Sequence, residues 1–229
     1  MEVLLKMVDS MVETGRFDLH VHTFFSRDSL LDPRLLPKVA ASRGLAGLAV
    51  TDHNFFGAHR MLESSSLIVV PGMEIRTSAG DIIVLFIQEP VLSRDPLEVY
   101  ELVKKQDGIL IAAHPFGFPR LSSMIEEFTR LLDGVEVVNS RNLFRRQNQK
   151  ALELARRLGK AETGGSDAHT LYEVGKAYTL AAASSLEELR AAIRSRMTKG
   201  SGGLSIPLVH LASFSASIVH KLARRPPFF

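Results

Sequence analysis

Residues 17–23 read FDLHVHT, and the reading of that run decides the fold. Phe17 to Val21 is a short apolar run of strand character that carries His20 and His22 at its C-terminal end. Side chains two apart on a strand share a face, so both imidazoles point one way. Far along the chain, GGSDAH at 164–169 sets Asp167 and His169 at the same spacing. Two such pairs facing one cavity make a metal site.

Working outward, further apolar, β-branched runs stand at Leu45 to Thr51, Leu67 to Pro71, Ile82 to Ile87, Ile109 to Ala113 and Val135 to Val138, with weaker ones near Lys160 to Thr163 and Ala177 to Leu180. Helical stretches at Pro33 to Ser42, Pro96 to Lys105, Met124 to Leu132, Phe144 to Leu158 and Ser185 to Arg196 lie between several of them. This alternation predicts parallel strands joined by right-handed crossovers, hence a doubly wound sheet or a barrel. The polar clusters choose between the two. Thr51, Asp52 and His53 end the second run, Glu74 lies just beyond the third, His114 follows the fifth, Asn139 the sixth, and Asp167 with His169 the seventh. In a barrel all strands open their C-terminal ends on one mouth, so residues a hundred positions apart meet there, whereas an open sheet scatters them along its edge. The expected fold is α/β, a barrel of the β/α type.

Composition bounds the chemistry. A chain of 229 residues, 45% hydrophobic, buries one large core and needs no second domain. It has no cysteine, so a metal must be held by nitrogen and oxygen donors. Glu2, Lys6, Asp9 and Glu13 interrupt the N-terminal stretch, which lacks the apolar core of a signal peptide, and a cytoplasmic location is expected. No acid follows Glu188, whereas Arg190, Arg194, Arg196, Lys199, Lys221, Arg224 and Arg225 do, so residues 190–229 are expected to form a basic helical extension. That tail suits a solvated face, nucleic acid or an anionic membrane. Leu204, Leu208, Leu211, Ile218 and Leu222 recur there at helical spacing; Pro207 and the serines argue against a transmembrane span and for packing on the barrel or on a second subunit of an oligomer.

A lone histidine at a strand end is more often structural than a ligand, so His59, His210 and His220 are set aside. Asp52 and His53 are adjacent and face opposite ways on a strand, which makes His53 the ligand candidate and Asp52 the group that orients a ligand. Five of these ordered clusters, at five strand ends, carry candidate ligands, which exceeds what one metal needs.

FDLHVHTFFSRDSL, LAVTDHN, VPGMEI, AAHPF and GGSDAH, in that order, resemble the motifs of the PHP (polymerase and histidinol phosphatase) superfamily of metal-dependent phosphoesterases, over about residues 17–182. The resemblance implies a single domain over 1–229 with a distorted seven-stranded β/α, TIM-like barrel. It makes His20, His22, Glu74 and Asp167 ligands of a first metal, with Glu74 bridging to a second that His114 also binds, while Asp28, His53 and His169 hold a third. His20, His114 and Asp167 are then the catalytic members. Many relatives place a further histidine about ten residues after the bridging glutamate. Here AGDIIVLF offers Ile83 and Val84 instead, and Asp81, expected in a turn, is an unpromising substitute.

Such a centre holds two or three divalent cations, zinc, manganese or iron by donor type. It is expected to hydrolyse a small phosphomonoester or a nucleotide-like phosphodiester through a metal-bound hydroxide. Arg141 is the first candidate for a phosphate clamp and Arg76 the second, with Asn139 beside them at the mouth. The alternative is a non-catalytic scaffold that binds metal or RNA with its basic tail; the eight candidate ligands weigh against it.

Overall fold

The computed structural model describes residues 14–62, 66–117 and 126–222. Its centre is one sheet of nine strands in the order β7-β6-β5-β4-β3-β2-β1-β8-β9. These are β1 (Thr14–Val21), β2 (Gly47–Val50), β3 (Ile68–Thr77), β4 (Gly80–Leu85), β5 (Ile109–Ala112), β6 (Gly134–Asn139), β7 (Ala161–Gly165), β8 (Ala177–Ala182) and β9 (Thr198–Gly202). The first seven curl into a nearly closed barrel. The seam lies between β1 and the chain just past β7, where Val21 bridges Ala168 and the His22 amide donates to the Ala168 carbonyl at 2.9 Å. The β8–β9 hairpin hangs from β1 and laps over that seam, with Thr179 Oγ1 bonding the Gly164 amide at 2.9 Å and Thr198 Oγ1 donating to the Glu162 carbonyl at 2.8 Å.

The barrel is distorted because its strands are not all parallel. β1–β2, β2–β3, β5–β6 and β6–β7 pair in parallel, but β4 is antiparallel to both of its neighbours. Only Ser78 and Ala79 separate β3 from β4, too short a link for a crossover, so the chain makes a hairpin. β8 is likewise antiparallel to β1, and β9 to β8. The expectation of parallel pairing throughout is corrected at these strands. The extension expected to be helical is corrected as well, since Thr198–Gly202 is a strand.

Helices cover the outside. α1 (Leu36–Ser42) and a 3-10 turn at Ala58–Leu62 pack on β1 and β2 through Leu36, Ala40, Leu48 and Val50. α2 (Pro96–Lys105), the single turn α3 (Glu126–Thr129) and α4 (Arg145–Leu158) cover β3 to β6. Asp95 starts α2 by accepting from the Leu97 and Glu98 amides, and Gly159, at φ 61°, ends α4 in the left-handed conformation that glycine adopts without strain. Inside the barrel, Phe17, Leu19, Ala49, Val70, Ile83 and Ile111 form a second apolar cluster with Leu189 and Ile193 of α5 (Leu186–Arg194). α5 follows β8, whose far end pairs with the start of β1, so it plugs the end of the barrel opposite the histidines.

The last helix, α6 (Val209–Leu222), lies against the histidine end. Ser205 is tied to Ser140 by backbone and side chain, and His220 Nε2 donates to the Ser29 carbonyl at 2.9 Å. Its outer face leaves Leu211, Phe214 and Leu222 exposed, as is Leu208 just before it, and among the described residues no helix is long and apolar enough to cross a membrane.

Candidate metal centre

Two irregularities aim the site. β1 advances from Asp18 to Val21 while β2 advances only from Leu48 to Val50, a bulge that keeps Leu19 in the inner cluster and still turns His20 and His22 to the mouth. β6 has a matching irregularity between Glu136 and Val138, and both Glu136 and Asn139 reach the site. GGSDAH needs both of its glycines for close approach. A Cβ at Gly164 would sit 2.5 Å from the Tyr178 carbonyl oxygen, and one at Gly165 would sit 2.3 Å from the Cβ of His20. His114 and Asp167 hold positive φ angles of 29° and 54°, strain of the kind that gathers at functional sites.

The structure brings His20, His22, Asp28, His53, Glu74, His114, Asp167 and His169 into one contiguous, mostly buried cluster. Glu74 is its centre. One carboxylate oxygen, Oε1, meets His114 Nε2 at 2.9 Å; the other, Oε2, faces His53 Nδ1 at 2.9 Å, His22 Nε2 at 3.4 Å and His20 Nε2 at 3.5 Å. Burial alone would raise the pKa of Glu74, but His53, His20 and His114 outweigh it and hold the carboxyl well below its ordinary range.

Hydrogen bonds at the Nδ1 atoms assign the tautomers of the cluster. His22 Nδ1 stands 3.1 Å from Ser26 Oγ, whose own hydrogen goes to Asp52 Oδ1 at 2.7 Å, so the His22 proton sits on Nδ1 and its Nε2 presents a lone pair. That lone pair faces His20 Nε2 at 3.0 Å. His20 Nδ1 in turn donates to Glu136 Oε1 at 2.9 Å. A proton on His20 Nε2, or a cation between the two Nε2 atoms, satisfies this contact. The pKa values agree. Burial and the neighbouring His169 and His53 push His22 well below its usual value, whereas for His20 the carboxylates of Glu136, Asp167 and Glu74 overcome burial and raise it. His169 repeats the motif: Nδ1 donates to the Asp167 carbonyl at 2.8 Å, leaving a buried Nε2 with no hydrogen bond 3.2 Å from Asp28 Oδ2. Imidazoles fixed this way, with lone pairs turned into a carboxylate-rich cavity, fit divalent cations.

Among the described residues, four groups of three donors have ligand atoms within 4.8 Å of one another: His22, His53 and His169; His20, His22 and Glu74; His20, His114 and Asp167; and Glu74, Asp81 and His114. The last corrects the expectation for Asp81. Because β4 runs against its neighbours, its first residues lie at the mouth, where the other strands end. Asp81 is buried there, and Ile83, directly opposite Glu74, belongs to the apolar interior below.

Asp52 acts as an orienting group, accepting from Thr23 Oγ1 and Ser26 Oγ at 2.7 Å each. The sequence reading missed Glu136, which holds His20 by Oε1 and the His114 amide by Oε2 at 2.8 Å. Its signal was a lone acid inside the apolar strand GVEVV. Carboxylates that hold ligand imidazoles typically affect metal affinity by about 10- to 100-fold. Glu136→Gln is expected to weaken metal binding by that factor in a competition titration against a chelating dye, and an unchanged affinity would remove Glu136 from this role.

The three substrate-binding candidates occupy different settings. Asn139 Nδ2 donates to Glu136 Oε2 at 2.9 Å and to Asp167 Oδ2 at 3.2 Å, within the cluster itself. The side chain of Arg141 is only 4% exposed; it lies under α6, donating to Ser213 Oγ at 2.9 Å, with Glu173 Oε1 at 3.5 Å. Arg76 is 67% exposed and donates through Nε to Asp81 Oδ1 at 3.1 Å. In the basic extension, Arg190 and Arg194 are both engaged by Asp107.

The family model described as PHP domain matches residues 18–169, and one described as PHP-associated matches residues 145–198. An uncharacterized protein of Methanocaldococcus jannaschii is 34% identical over 171 residues, covering 71% of this chain and 69% of its own length. Among solved structures, a two-domain protein of Bacteroides vulgatus, described as containing a predicted PHP-like metal-dependent phosphoesterase, matches with a TM-score of 0.70 at 21% identity, over 89% of this chain and 70% of that one. PsfC from Pseudomonas syringae matches with a TM-score of 0.65 at 21% identity, over 92% of this chain and 99% of its own. At such identities these structures share the fold.

Proposed function

This chain belongs to the PHP domain family, and from that premise we propose that it is a metal-dependent phosphoesterase acting on a small phosphomonoester or a nucleotide-like phosphodiester at the mouth of its barrel. The observation that carries the reading is the pair of Nε2 atoms of His20 and His22, 3.0 Å apart beside Glu74 and Asp167, which a shared cation satisfies together with both carboxylates.

In this reading His20, His22, Glu74 and Asp167 hold one cation, His114 with Glu74 a second, and Asp28, His53 and His169 a third. Divalent cations held there would supply two things, a bound water with its pKa lowered to about 7 and positive charge against phosphoryl oxygens. The rest of the work belongs to the protein. Glu136, Ser26 and the Asp167 carbonyl fix the imidazoles by their Nδ1 atoms, so the ligands need no reorganisation when substrate arrives. Asn139 fixes the carboxylate of Asp167. Arg76, exposed at the rim, is placed to meet a phosphate, and Arg141 reaches an anion only where α6 admits one.

The test uses purified protein loaded with manganese or zinc and two aryl substrates, p-nitrophenyl phosphate and bis-p-nitrophenyl phosphate. Hydrolysis of at least one is expected, abolished by chelation and restored by metal. Protein shown to carry metal that turned over no mono- or diester across a wide panel would end this reading.

A further inference from the structure

Asp81 is a buried carboxylate at the mouth to which the resemblance gives no role. It lies directly opposite Arg76 in the β3–β4 hairpin, two residues from Ile83 on the same face and so one layer nearer the opening than the apolar interior. Arg76 occupies only Oδ1, and the other oxygen, Oδ2, is buried with no hydrogen-bond partner. Nδ1 of His114 is buried in the same condition. Bare buried polar atoms are costly unless a ligand satisfies them. Glu74, Asp81 and His114 each offer one donor atom within 4.8 Å of the others', and it is Nε2 of His114 that faces Glu74, at 2.9 Å, so the three side chains converge on one point.

We propose that Asp81 is a metal ligand, forming with Glu74 and His114 an oxygen-rich cation site in place of the histidine that Ile83 and Val84 fail to provide. This rests on the metal centre proposed above and adds a distinction within it. Two carboxylates and one imidazole suit a harder cation such as Mn2+, whereas His53 and His169, with His22 close by and Asp28 as the lone carboxylate, make the third site richer in imidazole and suit Zn2+. Glu74 lies between the two groups, with Oε1 toward His114 and Oε2 toward His53 and His22. The centre is thus expected to hold two kinds of metal at once.

The experiment loads metal-free full-length protein with Mn2+ and Zn2+ together, removes excess ions, and reads metal content by mass spectrometry and bound manganese by electron paramagnetic resonance. Wild type is expected to retain both metals. Asp81→Ala is expected to bind Mn2+ at least about 100-fold more weakly while keeping its zinc, which also shows that the variant is folded. Asp81→His is expected to exchange the manganese for a further equivalent of zinc. Manganese binding unchanged in both variants would overturn the assignment of Asp81 and leave the metal centre standing. Wild-type protein that retained no metal would overturn both.

Discussion

Glu74→Gln is expected to lower kcat/KM by about a thousandfold or more and to strip metal from the centre, with the fold intact. Glutamine matches glutamate in shape, so packing around the buried side chain is conserved. What changes is charge. Four imidazoles, those of His20, His22, His53 and His114, stand within 3.5 Å of the Glu74 carboxylate, and it is the group toward which their nitrogens are turned. A neutral amide neither bridges cations nor offsets their mutual repulsion, and the loss of preorganised charge stabilisation at one position commonly costs 10²–10³ or more in rate. Metal content, kcat/KM and the far-ultraviolet circular dichroism of one preparation decide the matter. Full metal content together with wild-type turnover would remove Glu74 from the centre.

Gly165→Ala is expected to act through shape alone, and strongly. The added methyl group would lie 2.3 Å from the Cβ of His20, 2.9 Å from its backbone nitrogen and 2.8 Å from Glu136 Oε1. None of these is the far end of a flexible side chain that can swing away: two belong to the framework of β1, and the third is locked to His20 and His114. Overpacking a rigid interior costs about 1–3 kcal/mol and more where nothing yields, and for a chain of this size about 3 kcal/mol lowers Tm by roughly 6–12 °C. The displaced His20 ring should also lose metal. A thermal melt within 1 °C of wild type, with metal retained, would show that β1 and β7 can part without harm.

Much of this was legible in the sequence because strand ends announce themselves. FDLHVHT, LAVTDHN and AAHPF each follow or contain an apolar run that ends in a polar terminus, GGSDAH adds a second acid and histidine pair, and the barrel then determines that the termini meet. The failures have physical causes. Strand direction is invisible in an apolar run, so the hairpin that reverses β4 was missed, and with it the delivery of Asp81 to the mouth. β9, TKGSG, carries no apolar side chain to reveal it, because its glycines are selected for closeness: a Cβ at Gly200 would sit 2.6 Å from the Thr163 carbonyl oxygen. The contact of Arg141 with Ser213 spans 72 positions, and no local pattern encodes it.

The seam beside His20 sets a timetable for assembly. Glu74 and Asp81 share a hairpin, a local structure of the kind that closes in microseconds. The contact of His20 with Glu136 spans 116 residues, and the bridge from Val21 to Ala168 spans nearly the whole barrel. Contacts of such separation form late, after the intervening chain has been placed. On a ribosome, the half of the centre built by His20 and Asp167 does not exist until the seventh strand has emerged, so that half is completed on a nearly finished barrel and cannot serve as the template on which it folds.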